Sequence, residues 1–179
     1  MFLLRKSTCA LAVVIPAMLA ASALAQSPRM STSIAFGDKQ LDISYGAPSV
    51  RERKIFGPGG LLSRDPTYPI WRAGANAATS FHTDADLTIG DLNVPAGDYT
   101  IYADVGNPDA WQLIISKATG QWGLTYPEGQ DLGRTAMTMS KPEEPVEVYK
   151  MTLSKTAGDR AELKMEWADH VATVPIVVH

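Results

Sequence analysis

Cysteine is almost absent from this chain. The one cysteine among 179 residues is Cys9, ahead of an apolar stretch that reads as the middle of a secretory leader. A processed chain would therefore hold no thiol, which excludes a disulfide framework and any zinc–thiolate site. Basic runs are missing too: Arg51, Arg53 and Lys54 make the one locally basic spot, so neither nucleic acid nor an anionic membrane is an expected partner. Reaction templates are lacking. There is no Gly-x-Ser-x-Gly, no His-Glu-x-x-His, no phosphate-cradling glycine loop and no dinucleotide fingerprint. No cofactor is expected, and a hydrolase would have to assemble a histidine or a carboxylate pair in space rather than in sequence.

Residues 1–25 follow the three-part pattern of a signal peptide. Arg5 and Lys6 form a positive start, Ala10 to Leu24 is an apolar run broken by Pro16, and Ala23-Leu24-Ala25 is a small-x-small cleavage site before Gln26. The run is short and punctuated for a membrane span, which takes ~20 apolar residues. Cys9 lies on the wrong side of it for a lipoprotein. Cleavage after Ala25 would leave 154 of the 179 residues as one domain at 26–179, long enough to bury a core without crosslinks. Loss of Arg5 and Lys6 takes the basic residues from 16 to 14 against 19 acidic ones, a net charge of −5. The expected location is periplasmic or secreted.

Period-two alternation dominates the chain from residue 32 onward. Thr32, Ile34 and Phe36 alternate into the Gly37-Asp38 turn, and Leu41, Ile43 and Tyr45 alternate out of it, a hairpin signature. Leu87 and Ile89 with Leu92 and Val94 repeat it around Gly90-Asp91, where glycine at the first central position suits a type II′ turn. Further strands are expected at Thr79–Thr83, Tyr99–Val105, Trp111–Ile115, Leu132–Ser140, Val146–Ser154 and Ala161–Trp167, and at Val171–Val178, where Pro175 points to a sheet edge. About ten strands at ~8–12-residue spacing, with no helical period, predict an all-β antiparallel sandwich or jelly roll in a single domain. One long loop interrupts them, Gly46 to Pro69, in which Ile55, Phe56, Leu61 and Leu62 are expected to pack down. Loops of this length tend to cover something or to carry function.

Several local patterns, in order, resemble a known family. They are Ser44-Tyr45-Gly46-Ala47-Pro48-Ser49, Arg53-Lys54-Ile55-Phe56-Gly57, Trp71-Arg72-Ala73-Gly74-Ala75-Asn76-Ala77-Ala78-Thr79, Pro95-Ala96-Gly97-Asp98-Tyr99-Thr100 and Gln121-Trp122-Gly123. Over roughly residues 30 to 178 the chain resembles the domain of unknown function 2911 family. The resemblance implies an exported β-protein and implies no reaction. It departs from the family pattern at Tyr68-Pro69-Ile70, where a glycine is usual, and at Ala77, where an acidic residue is frequent.

The candidate ligand-binding residues are Arg72, Asn76 and Thr79, with Arg53 and Lys54 from the long loop and Trp122 as a stacking platform. A planar guanidinium suits a carboxylate, a phosphate or paired hydroxyls, and an exposed indole suits a sugar face. The competing reading gives these groups purely structural work. Trp111 and Trp167 are expected in the core. His82, Asp84 and Asp86, at i, i+2 and i+4, would share one strand face. Three ligands in line give poor angular coverage of a metal, so the reading there is a solvated polar face, with His170 and terminal His179 the only other imidazoles. No catalytic residue and no metal site are assigned. The expectation is a non-catalytic module for a small polar, anionic or sugar-like ligand, against two alternatives, an envelope hydrolase and a structural envelope protein.

Overall fold

The structure, a computed structural model, describes residues 26–179; the leader expected at 1–25 lies outside the described residues. Among the described residues thirteen strands follow one another: β1 (Arg29–Phe36), β2 (Lys39–Gly46), β3 (Ile70–Trp71), β4 (Thr79–Thr83), β5 (Leu87–Ile89), β6 (Leu92–Val94), β7 (Gly97–Asp104), β8 (Gln112–Ser116), β9 (Asp131–Ala136), β10 (Thr138–Ser140), β11 (Val146–Ala157), β12 (Arg160–Ala168) and β13 (His170–Val178). They form two antiparallel sheets. The first runs β1-β2-β4-β7-β8-β9 with β3 also against β7, and the second runs β11-β12-β13-β5-β6 with β10 beside β13. The predicted all-β sandwich is the observed fold.

Alternation builds the core. Leu41, Ile43, Phe81, Ile101, Leu113 and Ile115 of the first sheet meet Leu87, Ile89, Met151, Leu163, Met165, Val174 and Ile176 of the second in one buried cluster. The neighbouring residues of β7 and β8 face outward, yet Tyr102 and Ile114 are buried as well, in a satellite cluster with Ile70 and Ala78. The loop after β8 covers that outer face. Tyr126 packs edge-on to Tyr102 at 5.2 Å, and the Gln121 amide donates to the Tyr102 hydroxyl at 2.7 Å.

Turn chemistry sets the register of the hairpins. Gly37 (φ 62°), Gly90 (φ 61°) and Gly158 (φ 55°) each precede an aspartate in a two-residue turn, closed by Phe36 opposite Lys39, Ile89 opposite Leu92 and Ala157 opposite Arg160. A positive φ at the first central position alone is the type II′ signature, and glycine takes it without strain. The turn between β12 and β13 has the same closure, Trp167 opposite His170, but Ala168 stands at φ 52° where the others have glycine.

Two strand expectations need correction. Leu132–Ser140 is not one strand: β9 belongs to the first sheet and β10 to the second, with Met137 buried at the crossing. Pro175 is not on an edge, because β13 lies between β12 and β5. Its carbonyl accepts from Gly90 N–H at 2.8 Å. The N and C=O of one strand residue point the same way, so the missing donor faces the gap between β10 and β5 and leaves the β12 ladder intact.

The long loop packs down as expected. Ile55, Phe56 and Leu62 are buried, and Leu62–Arg64 forms one short 3-10 turn. Phe56 is the plug. Its ring lies 4.9 Å from Trp111, 5.8 Å from Trp167 and 6.2 Å from Trp71, and it closes one end of the sandwich over them.

Candidate functional site

Pairing geometry creates the site. Trp71 sits opposite Ala103 and Thr79 opposite Ile101, so β3 and β4 occupy consecutive places along the same side of β7. The seven residues between them cannot stay in the sheet. Arg72 to Ala78 are extruded as a tight loop whose ends meet again, Thr79 N–H donating to the Arg72 carbonyl at 3.4 Å. Left-handed backbone at Ala73 (φ 50°) and Asn76 (φ 65°) makes the reversals.

Glycines let three chain segments meet there. A methyl on Gly46 would overlap the Ala75 carbonyl and stand 2.9 Å from its carbon; one on Gly74 would stand 2.8 Å from the Gly46 oxygen. On the other side Gly123 lies against Arg72 and Asn76, its N–H bonding the Asn76 carbonyl at 3.1 Å. The stretches around Gly46, around Arg72 and around Trp122, far apart in sequence, thus form one structural unit.

Arg72 lies in the wall of a cleft of about 330 Å³ between the long loop and the extruded loop, lined also by Pro48, Leu61, Leu62, Arg64, Asp65 and Trp71. Its side chain is only 11% exposed, and Nη2 pairs with the Asp65 carboxylate. Nε is buried with no partner, and no hydrogen bond of Nη1 is found among the described residues. The guanidinium is therefore held by one carboxylate and is not consumed by loop carbonyls. Asp65 in turn is oriented by Thr67, whose backbone N–H donates to it at 3.1 Å and whose hydroxyl lies between it and the Ile70 carbonyl, at 2.8 and 2.7 Å.

The other expected ligand-binding residues lie elsewhere. Thr79 is fully buried, its hydroxyl donating to the Ala73 carbonyl at 2.8 Å; it braces the loop. Asn76 donates to the Ser27 carbonyl at 3.2 Å and does not line the cleft. Trp122 is 57% exposed, bridges Ala77 through its backbone and does not line the cleft. Arg53 and Lys54 border a separate cavity of about 350 Å³ with Phe56 and His170. Arg53 donates to the Ser49 and Val50 carbonyls at 2.6 and 2.9 Å, and Lys54 to that of Pro58 at 2.8 Å. Trp111 and Trp167 are buried, as expected of core residues.

His82, Asp84 and Asp86 do not share one face, because β4 ends at Thr83. Asp84 folds back to bond His82 Nε2 at 3.2 Å, Asp98 from β7 takes Nδ1 at 2.8 Å, and Asp86 accepts instead from Ala96 N–H at 2.8 Å. Hydrogen bonds from Asp98 first and Asp84 second raise the imidazole above its ordinary value of 6.5. Both ring nitrogens are engaged, which suits a cationic strut and neither a metal ligand nor a free base. No group of three or more histidine, cysteine or acidic side chains among the described residues is arranged to hold a metal ion.

Sequence reasoning missed Asp65 and Arg64, which form the cleft with Arg72, and gave His170 no role. His170 stacks on Trp111 (5.5 Å, 11° between planes) and holds the Asp169 carboxylate at 2.7 Å. No local pattern marks any of the three: each gains its role from a segment that the fold brings in. On the outer face, Tyr126 bonds Asp131 at 2.6 Å and accepts from Arg134 at 2.8 Å; burial, and then the Asp131 carboxylate, push its hydroxyl up to about 12.

No helix among the described residues is long and apolar enough to cross a membrane. No curated protein and no solved structure matches the chain. Residues 27–176 match the family described as protein of unknown function (DUF2911). The match spans both sheets and all three segments that meet at Arg72, and the chain belongs to that family.

Proposed function

We propose that this chain is an exported, non-catalytic binding module, working in the periplasm or outside the cell, whose small polar ligand enters the cleft beside Arg72. One observation carries the reading. A nearly buried guanidinium lines an open cleft of about 330 Å³ and has a single protein partner, Asp65. Burying a cation with donors unmet is costly, and a ligand that accepts those donors offsets the cost. Binding clefts of this type combine mostly apolar walls with a few placed polar groups, and the volume is at the low end of the ~300–1,000 Å³ range for small-molecule sites. The hydrolase alternative draws no comparable support, since both nitrogens of His82 are engaged by carboxylates.

Export rests on the leader pattern of residues 1–25. It predicts a mature N-terminus at Gln26, read by intact mass of protein recovered from the periplasm or medium; an unprocessed mass there refutes it. Binding is tested by titration calorimetry against a panel of small carboxylates, phosphates and monosaccharides. Saturable one-site binding is expected, weakened roughly tenfold in Arg72→Lys, which keeps the charge facing Asp65 but loses the planar fork. A panel without any saturable binder removes the reading.

A further inference from the structure

We infer that the ligand of the Arg72 cleft is a monocarboxylate with a compact apolar body. The inference rests on the binding reading above and narrows it by the hydrogen-bonding balance of the wall. Most of the acceptors there are engaged. The Pro48 carbonyl takes Tyr149 N–H, those of Leu61 and Leu62 take the N–H groups of Arg64 and Asp65, and that of Arg72 takes Thr79 N–H. The Gly74 carbonyl takes the Trp71 indole at 3.0 Å. The Asp65 carboxylate holds Arg72 and Thr67.

The donors are not engaged in the same way. Arg72 Nε and Trp167 Nε1 are buried without partners, but they are shut off from the cleft as well. Arg72 Nη1 makes no hydrogen bond among the described residues, and Arg64 at the rim makes one long contact, 3.4 Å, to Gly59. A wall with two loosely engaged guanidinium groups and mostly occupied acceptors selects a ligand that accepts. A sugar, whose hydroxyls must also donate, is poorly matched.

Charge and shape narrow the class further. Arg64 and Arg72 against Asp65 leave one positive charge on the cleft, in a protein whose net charge is −3. A planar monoanion with two acceptor oxygens fits a guanidinium edge that Asp65 holds through one nitrogen. The remaining lining is apolar, with Pro48, Leu61, Leu62, Pro66 and the Trp71–Trp167 stack (5.6 Å, 19°). Such walls take an aliphatic or aromatic body and offer a polyol few partners.

The four tryptophans supply the test. Their indole N–H signals are followed by nitrogen–proton correlation NMR of the purified protein, with Trp167→Phe assigning the Trp167 signal. Benzoate and hexanoate are titrated beside benzamide, hexan-1-ol, methyl glucoside and inorganic phosphate. The two carboxylates should shift the Trp71 and Trp167 signals saturably, leave Trp122 in place, and bind roughly tenfold or more tighter than their neutral counterparts. Arg72→Lys should weaken them roughly tenfold, and Arg64→Gln, a rim change that leaves Asp65 paired, about two- to threefold. If a neutral probe, the glucoside or phosphate moves the same two signals as tightly as benzoate does, the carboxylate assignment is overturned while the binding cleft stands. If no probe moves them, both are overturned.

Discussion

Replacing Gly123 with alanine tests whether the loop after β8 holds Arg72 in place. The φ of Gly123 is not positive, so a side chain is allowed by the backbone and the obstacle is space. A methyl there would overlap Arg72 Cδ and the Asn76 carbonyl oxygen and stand 2.7 Å from Arg72 Nε. Unstrained heavy-atom contacts lie at ~3.5–4.0 Å, so the segment must retreat by about 1 Å. Overpacking of this kind costs about 1–3 kcal/mol. Retreat also stretches the 3.1 Å bond from Gly123 N–H to Asn76, worth about 1 kcal/mol. Undocking of the whole segment limits the loss, so the expected cost is about 2–3 kcal/mol, or about 4–12 °C in Tm for a domain of this size. Gly120→Ala is the control within the same loop. Gly120 has φ 75° with nothing within 4 Å of an added methyl, so only backbone strain of about 1 kcal/mol applies. Urea unfolding of the three proteins reads the difference at constant slope. A Gly123→Ala protein within about 0.5 kcal/mol of wild type, or more stable than Gly120→Ala, refutes the close approach.

Ala168→Gly should stabilise the protein by about 0.5–1 kcal/mol, because it removes left-handed strain that the three sister turns avoid; an unchanged or lower urea midpoint refutes this. Phe56→Ala should cost about 3–5 kcal/mol for the lost ring and cavity, with amide exchange in residues 49–69 accelerating more than in β12; uniform exchange would show that Phe56 does not anchor the loop. For His82→Gln the sign comes from the direction of the shifts. The folded imidazole is raised above 6.5, so its contribution is full below that pH and is lost as pH rises through the raised value. Asp84 is lowered below 3.8, chiefly by the His82 hydrogen bond and then by Gln40 N–H, so its contribution is present above that pH and is lost as pH falls through the lowered value. Thermal melts of wild type and variant should therefore differ at about pH 5.5 and converge at about pH 9; a gap that persists at the higher pH refutes the strut.

The sandwich was legible because its determinants are local. Alternation in Ala161–Trp167 assigns a face to each residue, and Gly-Asp at 37–38 and 90–91 states the turn type and so the register. The misread elements depend on neighbours that sequence does not name. Leu132–Ser140 alternates well enough for one strand, but whether a strand stays in its sheet depends on what lies beyond Met137. Pro175 signals only a missing donor; the gap between β10 and β5 that accommodates it is made by two other strands. The Gly158-Asp159 turn carries the same signal as the other two and could have been found by the same rule.

The site was half legible for a related reason. Arg72 stood out as a cation in a short polar segment, and it lines a cleft between that segment and the long loop. Its companions did not follow from proximity in sequence. Asn76 and Thr79, four and seven residues on, serve the backbone: Thr79 satisfies the loop's own Ala73 carbonyl, and Asn76 ties the loop to the Ser27 carbonyl ahead of β1. Asp65, seven residues before Arg72, becomes its partner because the long loop folds back over Phe56 and returns through the turn at Leu62–Arg64. The glycines that carry the family resemblance, Gly46, Gly74 and Gly123, are explained by packing alone: each stands where another backbone or the Arg72 side chain passes too close for a methyl. The fold thus uses its smallest residues to draw three segments together, and the one large cation at their junction is left with donors that the protein itself does not take up.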